Sequence, residues 1–169
     1  MVDEAVADGV DRPLDPRSVI ALRLAGAIGA AVVTGATLLV LLPSVLFLRA
    51  PLSLKLVLLA GWLALTAALA AWSYFWPAVR YPYVSYRVEP RGITIRRGVF
   101  WRSVKAVPQA RVQHTDVSQG PIERAFGLAT LVIHTAGTHE AAIHLGGLAH
   151  ETALRVRDHL IGGGEDDAV

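Results

Sequence analysis

Two long stretches of this chain carry no charged residue: Leu24 to Leu48, 25 residues, and Leu56 to Val79, 24 residues. At about 1.5 Å of rise per helical residue, each exceeds the roughly 30 Å hydrocarbon core of a bilayer. Neither shows the polar face of a helix packed on a globular core, so both read as membrane spans. The first run is also longer than the about 7–15 apolar residues of a removable signal peptide. It follows a segment holding Asp3, Glu4, Asp8, Asp11 and Asp15 instead of a short basic one. Only Arg49 to Lys55, with Pro51 inside, separates the runs, which makes them an antiparallel hairpin. Gly26, Ala30 and Thr34 in one run and Ala60, Ala64 and Ala68 in the other recur every four residues, a spacing that permits close helix packing. Neither run contains Asp, Glu, Lys, Arg or His, the groups that transport and proton relay require within a membrane. The hairpin therefore reads as an anchor, not a conduit.

Positive residues orient it. Arg12, Arg17 and Arg23 precede the first span, and Arg80, Arg87, Arg91, Arg96 and Arg97 follow the second, against Arg49 and Lys55 in the turn. The bias predicts a multi-pass protein of the inner (cytoplasmic) membrane with both termini in the cytoplasm. Trp72, Tyr74, Phe75, Trp76, Tyr81, Tyr83 and Tyr86 suggest an aromatic belt at that interface, with Pro77 and Pro82 ending the helix. The chain has no Cys, which removes disulfides, thiolate nucleophiles and cysteine metal sites.

Four regions follow: a flexible N-terminal tail over 1–19, the transmembrane hairpin over 20–80, a cytoplasmic domain over 81–161 and a disordered acidic tail over 162–169. Within 81–161 the apolar residues alternate. Strands are predicted at Val84–Val88, Ile93–Arg97, Phe100–Val107, Val112–Val117, Ala129–His134 and Ala141–Leu145. Pro90-Arg91-Gly92, Arg97-Gly98 and Ala136-Gly137-Thr138 supply turns, and Pro121 to Phe126 a short helical one. Leu148, Thr152, Leu154, Val156, His159 and Leu160 fall near helical spacing before Gly162, which predicts a C-terminal amphipathic helix.

The runs Tyr86-Arg-Val-Glu-Pro-Arg-Gly-Ile-Thr-Ile-Arg-Arg-Gly-Val-Phe-Trp-Arg102, Val107-Pro-Gln-Ala-Arg-Val-Gln-His114 and Gly120-Pro-Ile-Glu-Arg-Ala-Phe-Gly-Leu-Ala-Thr-Leu131 resemble the bacterial pleckstrin-homology-like (YdbS-like) membrane protein family. The resemblance covers residues 81 to 161, and the paired spans ahead of it match the same arrangement. It implies an α+β membrane protein: a two-helix hairpin followed by a PH-like domain of two antiparallel sheets forming a small β-barrel, capped by a C-terminal helix. The fold usually has seven strands. Only six are apparent, which places the seventh near Ser118 to Gly120 or within Phe100 to Val107.

Charge is unevenly spread. Residues 81–111 hold seven basic side chains against one acid, Glu89, whereas residues 112–169 hold three basic and eight acidic. Arg96, Arg97, Arg102 and Lys105 flank a predicted hairpin tip carrying Phe100 and Trp101. These six residues are the candidate lipid-facing set, since anionic lipid attracts each nearby cation by about 1 kcal/mol. Arg111, Gln113 and Arg124 are candidate motif residues, either an interaction surface or structural, with Asp116 and Glu123 as expected salt-bridge partners. Nucleic acid is not an expected partner, because the basic segment is tethered at a bilayer and the domain is nearly neutral.

Enzymatic signals are weak. His139-Glu140-Ala-Ala-Ile-His144 has one residue too many for a zinc-protease helix, and the segment reads as a strand. His134, His139 and His144 are the residues on which a metal-dependent enzyme would rest, a remote alternative. No G-x-S-x-G context and no phosphate-binding glycine loop appear, so no catalytic residue, cofactor or metal site is predicted. The reading is a non-enzymatic scaffold or interaction module at the cytoplasmic membrane face, its partners membrane lipid and either another membrane protein or a second copy. The alternative is an anionic-lipid or envelope-stress sensor using the basic first sheet.

Overall fold

Alternation of apolar and polar residues after Tyr83 dictates strands with one face buried, and two such sheets bury their faces against each other. The computed structural model describes residues 7–47, 49–136 and 142–162. The chain divides into two units, one running up to Ala21 and resuming at Val79, the other Leu22–Ala78.

Most of two helices makes up the second unit: α1, Arg17–Phe47, and α2, Leu52–Arg80, of 31 and 29 residues. Their lengths, about 46 and 43 Å, suit a bilayer crossing. Apolar side chains point outward, with Leu39, Val40, Phe47 and Leu52 at least 70% exposed. Arg23 Nε donates to the Tyr74 carbonyl at 2.9 Å, and Trp62 Nε1 donates to Thr37 Oγ1 at 3.1 Å, so the start of α1 meets the end of α2. Gly26 is where the helices touch: a Cβ there would lie 2.9 Å from Ser73 Cβ. Pro77 does not end α2, which continues to Arg80. Helical backbone keeps its polar groups satisfied where water is absent, so spans tolerate proline.

The first unit contains two sheets. One is ordered β1 (Arg12–Pro13), β2 (Val84–Glu89), β3 (Gly92–Arg97), β4 (Ser103–Pro108). The other is β5 (Val112–Ser118), β6 (Leu128–Thr135), β7 (Ala142–Ala149), with a short helix α3 (Pro121–Ala125) before β6. All pairings are antiparallel. A C-terminal helix, α4 (His150–Gly162), covers them. Tyr86, Val88, Ile93, Ile95 and Val107 from the first sheet meet Ala129, Leu131, Ile133, Leu145 and Leu148 from the second, together with Ala153, Val156 and Leu160 of α4. Leu148 belongs to β7, not to the helix as its spacing suggested. Tyr86 is core at 5% exposure, not part of an aromatic belt.

The largest correction concerns the N-terminal segment. The seventh strand is β1, from the stretch read as a flexible tail, and not a piece near Ser118 to Gly120 or within Phe100 to Val107. Gly9 N donates to Val88 O at 3.0 Å, Arg12 pairs with Tyr86 and Pro13 with Ser85, and Tyr81 Oη donates to Leu14 O at 2.8 Å. Asp15 N then bonds Gly147 O at 2.9 Å, so the segment runs from the edge of the first sheet to that of the second. An unpaired strand edge costs backbone hydrogen bonds, and this segment supplies them. The acidic tail beyond Gly162 and the turn at Gly137-Thr138 lie outside the described residues.

Gly147 has φ +80, and a Cβ on it would sit 2.9 Å from Ser18 Cβ and 3.4 Å from Leu14 Cδ1. Gly147→Ala should destabilise the unit by about 1–2 kcal/mol through left-handed strain, lowering the thermal midpoint and raising amide exchange at Leu14 to Ser18. Gly35→Ala, with open space at its Cβ, should leave both unchanged.

Candidate functional site

The β3–β4 connection is a tight turn set by Gly98. Its φ is +126, and a side chain there would collide with the Trp101 carbonyl, so only glycine fits. Gly98 N donates to Tyr83 O at 3.1 Å, tying the turn to β2. The turn displays Phe100 at 80% and Trp101 at 91% exposure, and Arg102 beside them is exposed as well. These three of the six candidate lipid-facing residues form one tip.

The other three do not join them on one surface. Arg96 stands opposite Ser85 and Val104, on the outer face of the first sheet. Arg97 and Lys105 fall on the alternate, inward-pointing register, opposite Val84 and Ile95 respectively. Arg96 Nη1 lies 2.6 Å from Asp11 Oδ2, and Arg87 Nη2 is 2.7 Å from the same oxygen. Arg97 donates from Nη2 to the His144 carbonyl, linking the first sheet to β7. Counting charge along the chain missed both the two-residue alternation and the acid delivered by the N-terminal segment.

Two residues of the motif between Pro108 and Gly127, Gln109 and Glu123, tie elements of the domain together. Gln109 Nε2 donates to the carbonyls of His159 and Leu160, at 2.8 and 3.3 Å, satisfying acceptors that the last turn of α4 leaves open. The His159 ring in turn meets Glu89 O at 3.1 Å. Sequence reasoning missed Gln109, although its place between a proline and Arg111 in the quoted motif marked it. Glu123 accepts from Gly120 N at 2.9 Å and from Thr130 Oγ1 at 2.7 Å, closing the start of α3 onto β6. It is therefore not the partner of Arg124, nor does Asp116 pair with Arg111. Arg111, Gln113 and Arg124 are exposed, Gln113 at the irregularity between Val112 and His114.

The expected histidine trio is also redrawn. His139 lies outside the described residues, and His144 sits in β7 opposite Val132. His134 instead faces His114, its direct partner across β5–β6, with ring centroids 4.0 Å apart and planes at 13°. Asp116 Oδ2 is 3.4 Å from His134 Nε2 and 3.7 Å from His114 Nε2.

Residues 19–163, the apolar helices included, match the family of the bacterial PH domain. The chain belongs to that family. It is also 39% identical over 84 residues to the UPF0699 transmembrane protein YdbS of Bacillus subtilis (strain 168), an overlap of 50% of this chain and 51% of that protein. The chain thus spans about half the length of the curated relative it matches. No solved structure matches it. Two apolar helices of spanning length and a transmembrane relative make this a YdbS-like membrane protein with a PH domain. The resemblance seen in the sequence holds, as does the order of apolar helices, two antiparallel sheets and C-terminal helix; the sheets stay separate, with no closed barrel among the described residues.

Asp11 forms an electrostatic clamp with Arg87 and Arg96. The hydrogen bond from Arg87 chiefly, and the charges of Arg87 and Arg96, hold the Asp11 carboxyl below its usual 3.8, and Asp11 raises Arg87 in return. A carboxylate lowered in the folded state stabilises it fully above the unfolded value and loses that contribution as pH falls through the folded one. Carboxyl NMR should show Asp11 titrating below 3.8, and Arg87→Gln should return the midpoint towards that value. Protection of the Gly9 amide, which bonds Val88 O, should fall with it.

Proposed function

We propose that this protein is a non-enzymatic scaffold: a PH domain fixed at the cytoplasmic face of the inner membrane by a two-span hairpin, offering the Phe100–Trp101 tip to another membrane protein. The observation that carries the reading is an aromatic pair at 80% and 91% exposure on a turn whose backbone at Gly98 only glycine accommodates. Aromatic side chains have only two χ angles and so bind with little loss of side-chain freedom, and Trp is over-represented among residues that dominate binding energy.

Topology supports the placement. β1 precedes both apolar helices and pairs with β2, which follows them, so chain leaving the domain must return to the same side, and two crossings accomplish that. The distribution of Arg and Lys around the spans favours the cytoplasmic side. Two spans make attachment effectively irreversible, so lipid binding is not needed for recruitment.

Lipid sensing is the second reading, favoured by the adjacency of Phe100, Trp101 and Arg102. It is weakened because Arg87 and Arg96 are already paired with Asp11 and because Arg97 and Lys105 lie on the other register. A photo-crosslinking residue at position 100 in native membranes separates the two. The scaffold reading predicts a discrete protein adduct whose yield falls at least about tenfold with Trp101→Ala, in line with the loss of a buried aromatic anchor. Adducts to lipid alone would transfer the tip to the sensor reading.

A further inference from the structure

We infer that His114, Asp116 and His134 form a binding site for a divalent transition metal, with zinc the ion of best fit. The site lies on the second sheet, apart from the aromatic tip, and does not depend on what the tip binds.

Sheet geometry assembles it. His114 and Asp116 are two residues apart on β5, hence on one face, and His134 on β6 is the cross-strand partner of His114. The three offer one ligand atom each, all within 4.8 Å of one another. The two contacts to Asp116 Oδ2, 3.4 and 3.7 Å, are too long for good hydrogen bonds. They are close to the edge of a zinc coordination tetrahedron, about 3.3–3.6 Å when the metal–ligand bonds are about 2.0–2.2 Å. The third pair, the two imidazole nitrogens, lies within 4.8 Å and closes on one ion by rotation of the exposed His114 ring towards the half-buried His134.

Donor chemistry selects the metal. Two imidazoles and one carboxylate suit zinc and its neighbours, whereas calcium takes six to eight oxygens and magnesium an octahedral oxygen shell. Three protein ligands leave further positions to solvent, and the trio is accessible: the side chains of His114, Asp116 and His134 are 60%, 63% and 30% exposed. This differs from the trio the sequence suggested, in which His134 was grouped with His139 and His144 and no metal site was expected.

The test is zinc titration by calorimetry on the full, tag-free chain in nanodiscs of zwitterionic lipid. The inference predicts about one zinc per chain and, with Co²⁺, the intense visible absorption of a tetrahedral site. His114→Gln, Asp116→Asn and His134→Ala should each weaken binding at least about tenfold, the loss that even outer-sphere substitutions cause, while leaving circular dichroism and thermal midpoint unchanged. His144→Ala should bind as the parent does. Binding by the parent no tighter than by the variant carrying all three changes overturns the inference. Loss of binding with His144→Ala but not with His114→Gln overturns it as well.

Discussion

The structure depends on one pairing, that of β1 with β2. It joins residues separated by the whole membrane hairpin, Arg12 to Tyr86 and Pro13 to Ser85, so the PH domain is complete only when chain from both sides of the hairpin meets. The pairing covers what would be an exposed edge of β2. The same segment then docks on β7, where Gly147 leaves room for Ser18, buried at 3% exposure. Asp11 adds charge complementarity, placing one carboxylate between Arg87 and Arg96. Exposed ion pairs of this kind contribute little individually.

That arrangement shapes the surface. A segment rich in arginine looks like a single basic face when charges are counted in order. Folding divides it between the two registers of a sheet, pairs two members internally and sends Arg97 to a backbone carbonyl. What stands out is the Gly98 turn with its aromatic tip, together with the histidine pair and Asp116 on the other sheet.

Much of this was legible in the sequence. The spans followed from uninterrupted apolar runs, the six longer strands from alternation, and the family from the runs around Gly92, Pro108 and Gly127. β1 was not legible, since two residues give no periodicity and its partner is more than 70 positions away. Tyr86 was assigned to the interface because aromatic residues near a span suggest a belt, while its alternation with Val84 and Val88 already placed it inside. The histidine pair escaped notice because its members come from different strands, and only the β5–β6 register brings them face to face.

The central claim is that chain on both sides of the hairpin forms one domain. Because the protein has no native cysteine, Pro13→Cys combined with Ser85→Cys in native membranes tests it without background. Mild oxidation should produce an intramolecular disulfide in high yield, seen as a shift in non-reducing electrophoresis, and moving the first cysteine to Gly9 should abolish it. A Pro13–Ser85 yield no greater than that of the Gly9 control would contradict the pairing and the domain built on it.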